Sequence, residues 1–125
     1  MIIGVGIDIV EISRIGSLLE KFQSHFLNKI YTEEEIRFCY SRKNVVSSLA
    51  KMFALKEATI KALSDAKGIK WHEMAIRHNE NGKPLVTLSG TALNNLKSKT
   101  NDFNIQASVS DEQEYAIAYV VIEGS

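Results

Sequence analysis

Two carboxylates stand where chemistry is easiest to imagine. Asp8 interrupts an otherwise apolar N-terminal run, MIIGVGIDIV, and Glu57 lies within SLAKMFALKEATIKAL. A carboxylate among Ile, Val and Gly is expensive to bury unpaired, so Asp8 needs a cation. That cation is either a Lys or Arg side chain or a metal ion. Glu57 is the natural second carboxylate for the metal reading. Mg²⁺ takes hard oxygen ligands and keeps several waters, so two carboxylates plus phosphate oxygens suffice. Lys56 and Lys61 flank Glu57, and either can offset phosphate charge. The plainer alternatives are an Asp8 ion pair and a solvated, salt-bridged helix face around Glu57 and Lys61. Spacing alone leaves both open.

Other constellations are missing. His72-Glu73 begins like HExxH, but position 76 is Ile. Cys39 is the only cysteine, so neither a CxxC zinc site nor an intrachain disulfide is written here. Gly4 and Gly6 do not extend to a dinucleotide fingerprint, because Ile9 holds the third glycine position. His25, His72 and His78 are scattered and read as surface or internally satisfied histidines.

The elements that must position the two carboxylates follow from periodicity. Residues 2–10 read as a buried strand, with Ile3, Val5, Ile7 and Ile9 on one face and Gly4, Gly6 and Asp8 on the other. The glycine face leaves room for something to approach the backbone. Ser13 is expected to cap a helix over 14–23. Thr32 and Glu35 have capping-box spacing for a second short helix. A long helix is expected from Ser47 to Leu63, stopped by Gly68. Residues 74–78 and 85–88 read as strands joined by the NENGKP turn, followed by a helix over 90–97 capped by Ser89. A terminal hairpin over 105–110 and 115–122 ends in a strand apolar on both faces, hence central or covered. The sum is α+β, one domain over residues 1–125, with a long helix on a mostly antiparallel sheet.

Composition excludes several classes. With 15 basic and 15 acidic residues the net charge is zero, which gives no global pull toward nucleic acid or an anionic membrane. No apolar run approaches a transmembrane length, and the first residues lack the basic leader of a signal peptide. A cytoplasmic protein is expected.

GVGIDIVEISRI (residues 4–15) followed by FALKEATIKAL (residues 53–63) resembles the bacterial holo-acyl-carrier-protein synthases, small 4'-phosphopantetheinyl transferases. The shared pattern is Gly6-Ile7-Asp8 with Phe53, Lys56, Glu57, Ala58, Lys61 and Ala62. It continues through Leu27, Thr32, Glu33, Glu35, Asn81-Gly82-Lys83-Pro84, Ser108-Val109-Ser110 and Tyr115-Ala116. The resemblance implies the fold of that family. It also implies a Mg²⁺-dependent transfer of 4'-phosphopantetheine from coenzyme A to a serine of an acyl carrier protein, within fatty acid biosynthesis. Asp8 and Glu57 would hold the Mg²⁺, and Asp8, Glu57 and Lys61 would be the catalytic set. Lys61, Lys56, Lys83 and Pro84 would contact coenzyme A, and Arg14, with Lys21 two turns along, would dock the acidic carrier protein. A homotrimer with active sites at subunit interfaces is implied as well.

Two positions depart from the commonest family pattern. Met52 stands where many members have Arg, and Asp111 where many have His. Altered coenzyme contacts are expected, with Lys51 or Arg42 compensating. Two rivals remain at this stage. One is a catalytically silent interaction module in which Asp8 and Glu57 pair with lysines. The other is a Mg²⁺-dependent phosphate-ester hydrolase. Metal binding, coenzyme A binding and dependence on carrier protein separate them.

Overall fold

The computed structural model describes all 125 residues. Its elements run β1 (Ile2–Glu11), α1 (Ile12–Ile30), α2 (Glu33–Tyr40), α3 (Val45–Leu63), a single 3-10 turn (Trp71–Glu73), β2 (Met74–His78), β3 (Pro84–Leu88), α4 (Gly90–Lys97), β4 (Phe103–Asp111) and β5 (Tyr115–Gly124). The expected α+β class holds. Three strands form one antiparallel sheet in the order β1-β5-β4, and β2 and β3 form a separate antiparallel hairpin. No helix is long and apolar enough to cross a membrane.

The sheet and α3 are one packing unit. The helix lies against β1 and β5, where Gly4, Gly6, Ala116 and Ala118 keep the surface low. A methyl group added at Gly6 would fall 1.8 Å from the Ala58 carbonyl oxygen, and one at Gly4 1.9 Å from that of Ala62. The space left by the two glycines is therefore filled by the backbone of α3 rather than by a ligand. Because α3 is wrapped by sheet, α1, α2 and the hairpin, apolar residues occupy most of its circumference, among them Leu49, Ala50, Phe53, Ala54, Leu55, Ala58 and Leu63. Asn44 caps its start by accepting from the Ser47 amide at 3.0 Å.

β5 is the central strand, as its double-sided apolar pattern requires. Its inner side chains, Ala116, Ala118, Val120 and Ile122, are buried under α3. Its outer ones are not. Val5, Ile7 and Ile9 of β1 are 53%, 54% and 61% exposed, and Tyr115, Ile117 and Tyr119 of β5 continue the same apolar face.

Four expected helix ends are wrong in detail. Ser13 does not cap α1: the helix leaves β1 directly at Glu11, and the Ser13 hydroxyl donates to the Glu11 carboxylate instead. The helix also runs past residue 23 after a break at Gln23, whose φ of 48° and ψ of −127° lie outside helical space. α3 stops at Ser64, in the left-handed region with φ 69°, before Gly68 is reached. Ser89 makes no capping bond to α4. Glu73, on the 3-10 turn, reaches over and accepts from the Thr91 and Ala92 amides at 3.2 and 3.3 Å. The Thr32–Glu35 capping box forms as expected.

Candidate active site

β1 delivers Asp8 to the surface where α3 presents Glu57. Asp8 follows Gly4 and Gly6 on the helix-facing side of the strand, so the close seating of α3 fixes how the two carboxylates approach. Lys61, one turn after Glu57, donates to the Ile7 carbonyl at 2.9 Å and lies 3.4 Å from Asp8 Oδ1. The Asp8 side chain is mostly shielded at 17% exposure, whereas that of Lys61 is open at 55%. Glu57 holds its proton more tightly than an ordinary carboxylic acid, first because it is partly buried and then because the Asp8 charge repels its own. Lys61 and Arg14 pull in the opposite direction. Arg14, in the first turn of α1, has its guanidinium 6.0 Å from the centre of the Phe53 ring.

Asp8, Glu57, Lys61 and Arg14 are thus brought together from three elements. The pair of carboxylates fits a hard divalent cation, since mutual repulsion is what such an ion relieves. No group of three or more His, Cys, Asp or Glu side chains forms a metal cage in the chain. Two carboxylates are the whole protein share, and the remaining ligands would be water or substrate oxygen.

The other sequence-derived candidates fare differently. Lys56 does not face this site. It is fully buried, 2.8 Å from Glu35 Oε1, and donates to the Ile30 and Trp71 carbonyls at 3.1 and 3.2 Å. All three ammonium protons are used inside the protein, so Lys56 has none to offer a phosphate. It faces the core because α2 and the 3-10 turn cover that side of α3. Lys21 is exposed, with its ammonium 5.3 Å from the Phe22 ring centre, and has no contact with the carboxylate pair. Lys83 is exposed and donates to the Gln106 side chain at 2.9 Å. Pro84 lines a separate cavity of about 300 Å³ beside α3, together with Phe38, Arg42, Lys51, Met52 and His78. The departure at Asp111 is met locally: its carboxylate accepts from Ser47 Oγ at 2.9 Å and pairs with Lys51 at 3.3 Å.

With this geometry in hand, the comparisons with known proteins are decisive. The profile described as the 4'-phosphopantetheinyl transferase superfamily matches residues 4–120. The chain belongs to that superfamily. It is a phosphopantetheinyl transferase, and its similarities are to one branch. The holo-[acyl-carrier-protein] synthase of Thermodesulfovibrio yellowstonii is 43% identical, over 98% of this chain and 99% of that one. The crystal structure of the holo-[acyl-carrier-protein] synthase of Neisseria meningitidis superimposes with a TM-score of 0.85 at 36% identity, covering 98% of this chain and 99% of the other. The Helicobacter pylori holo-[acyl-carrier-protein] synthase, solved in complex with coenzyme A, gives 0.82 at 34% identity over 95% and 99%. The superfamily fold expected from the two motifs is the fold observed, and the silent-module reading falls away.

Sequence reading missed the roles of Glu35 and His78. Glu35 was visible as a cap but not as the buried partner of Lys56. His78, expected at the surface or internally satisfied, has its Nδ1 buried without a partner. Periodicity carries no signal for either, because both contacts join elements far apart in the chain.

Proposed function

We propose that the chain moves the 4'-phosphopantetheine group of coenzyme A to a serine of an apo-acyl carrier protein, with Mg²⁺ held by Asp8 and Glu57. The products are holo-acyl carrier protein and adenosine 3',5'-bisphosphate. The observation that carries this reading is the convergence of Asp8, Glu57, Lys61 and Arg14 at the β1–α3 seam of a member of this superfamily.

The chemistry asks for positioning and charge compensation more than covalent help. The serine oxygen forms a bond to the phosphorus nearer the pantetheine arm, and the bond from that phosphorus to the bridging oxygen of the pyrophosphate breaks. A bound Mg²⁺ would supply charge to the pyrophosphate oxygens. Lys61, with its exposed ammonium, adds a second positive charge beside Asp8. Glu57, beside the same ion, takes the serine proton directly or through water. The nucleophile belongs to the partner, so no Ser–His pair is needed in this chain.

Arg14 is the anchor for the acidic carrier protein, because it opens the helix that leaves the Asp8 strand. Lys21 extends the basic side of α1. The exposed apolar face of β1 and β5 favours burial against further copies of the chain, in keeping with a homotrimer whose active sites are completed by neighbours. The Lys83–Pro84 turn then serves the nucleotide end of the coenzyme. The protein works in the cytoplasm on the carrier protein of fatty acid synthesis.

The test is a steady-state assay with apo-carrier protein and coenzyme A varied separately. Asp8→Ala and Glu57→Ala lose about 100-fold or more in kcat while the circular dichroism spectrum is unchanged. Arg14→Glu raises KM for carrier protein and spares KM for coenzyme A, and added salt weakens wild-type turnover. Turnover by either carboxylate variant without Mg²⁺ sinks the metal assignment. Cleavage of coenzyme A without carrier protein favours the hydrolase instead.

A further inference from the structure

The carboxylate site leaves two residues of the α3 motif unused, Phe53 and Lys56. They stand three apart on the helix, so they share a face. Both reach the same residue. The Phe53 ring stacks on Trp71, with centroids 5.4 Å apart and planes 27° from parallel. Lys56 Nζ donates to the Trp71 carbonyl at 3.2 Å. The helix therefore grips the 3-10 turn twice, by the ring of Trp71 and by its backbone. The Phe53 ring also carries the Arg14 guanidinium, 6.0 Å from its centre. Trp71, Phe53 and Arg14 form one connected row, from a half-buried indole through a buried ring to an exposed cation.

Lysine is rarely buried in full, and Lys56 is. Its charge is met by Glu35 Oε1 at 2.8 Å, and its other protons go to the Ile30 and Trp71 carbonyls. Glu35 is fixed in turn by the Thr32 and Ile76 amides at 3.0 and 2.7 Å. A buried ion pair adds little stability over an apolar pair of similar volume. What it adds is direction. Three donors on one ammonium tie α3 to the last residue of α1, to α2 and to the 3-10 turn. Glu73 fastens the far end of that turn to the Thr91 and Ala92 amides, so Lys56 sets the near end, where Trp71 lies.

We propose that Lys56 is a positioning residue for carrier-protein docking: through the Trp71 carbonyl it sets the 3-10 turn so that Trp71 backs Phe53, and Phe53 presents Arg14 to the acidic partner. Lys56 touches neither the partner nor the reacting atoms. The inference rests on Arg14 being the docking anchor, and it deepens that reading by naming the buried pair that holds the anchor's platform.

Trp71 is the only tryptophan, so its fluorescence reports the platform directly. The main variant is Glu35→Gln with Lys56→Met in the full-length protein, which removes both buried charges together. Urea unfolding shows it folded, yet Trp71 emission moves to longer wavelength and acrylamide quenches it more than in wild type. KM for carrier protein rises about fivefold, the worth of one cation–π contact. KM for coenzyme A stays at the wild-type value. Trp71→Leu, which leaves the buried pair intact, raises KM for carrier protein to the same degree, and combining all three substitutions raises it no further. Unchanged Trp71 emission and unchanged KM for carrier protein in the folded double variant overturn the proposal. An equal rise in both KM values overturns it too, since that is general loosening rather than positioning. Trp71→Leu with an unchanged KM for carrier protein overturns it even where the double variant does not fold. An effect of Arg14→Glu on that KM with none from the double variant sinks the proposal and leaves the docking anchor standing. The converse, an effect of the double variant with none from Arg14→Glu, overturns the anchor and supports the positioning role of Lys56.

Discussion

Lys61 Nζ sits 3.4 Å from Asp8 Oδ1 and donates to the Ile7 carbonyl, so the lysine of α3 is latched to the strand that carries the carboxylate. The latch leaves Glu57 without a short-range cation of its own. Its proton affinity is raised by burial and by Asp8. A carboxyl whose folded pKa exceeds its unfolded value, about 4.3 for Glu, stabilises the protein below that unfolded value. The contribution is lost as pH rises through the folded pKa. Metal-free protein therefore loses stability as pH climbs above the usual carboxylate range, and Mg²⁺ restores it. Unfolding temperatures measured from pH 4.5 to 7.5, with Mg²⁺ and with chelator, show a gap that widens with pH. Asp8→Asn narrows it. A gap independent of pH would mean that Glu57 takes no part in holding the ion.

Gly6 has no room for a side chain. A Cβ there meets the Ala58 carbonyl oxygen at 1.8 Å and the Ala62 amide nitrogen at 2.9 Å, both backbone atoms that cannot rotate away. Gly6→Ala must push α3 off β1, at a cost of about 1–3 kcal/mol. It also parts Glu57 from Asp8, so turnover falls by more than the stability loss explains. Chemical denaturation and an assay at a temperature where the variant is folded check both. Gly82→Ala is the control for added bulk, since nothing lies within 4 Å of that position, although its φ of 82° adds local strain.

The Glu35–Lys56 pair joins α2 to α3 inside the core. Glu35 also accepts from the Thr32 amide at 3.0 Å and the Ile76 amide at 2.7 Å, so one carboxylate ties α2, α3 and β2 together. Lys56→Met leaves Glu35 charged and buried without its cation and costs about 3–5 kcal/mol. Glu35→Gln with Lys56→Met recovers part of that, and a double-mutant cycle of urea unfolding measures how much. Additive losses would show that the two charges are not coupled.

Val5, Ile7 and Ile9 with Tyr115, Ile117 and Tyr119 form an exposed apolar sheet face, with Ile7 opposite Tyr119 across the β1–β5 ladder. Ile7→Glu places a charge at its centre. Sedimentation velocity then shows the wild type as a trimer and the variant as a monomer, with turnover lost in step. A fully active monomeric variant would refute sharing of the site between copies.

The sequence by itself determined the chain's class and its family. The strand from residue 2, the long helix, the NENGKP hairpin and the central last strand were legible because each is a local matter of periodicity and turn chemistry. Asp8, Glu57 and Lys61 were legible as candidates because a charge in an apolar run must be compensated. Only the tertiary structure decided which lysine goes where. Lys56 and Lys61 stand five residues apart on one helix, yet one is locked in the core against Glu35 and the other lies open beside Asp8. The difference is set by what covers each side of α3: α2 and the 3-10 turn on one, the edge of β1 on the other. The same holds for His78, whose environment comes from Phe38, Arg42 and Lys51, all distant along the chain. Burial and electrostatic environment are sums over neighbours in space, and a linear pattern records only the neighbours in sequence.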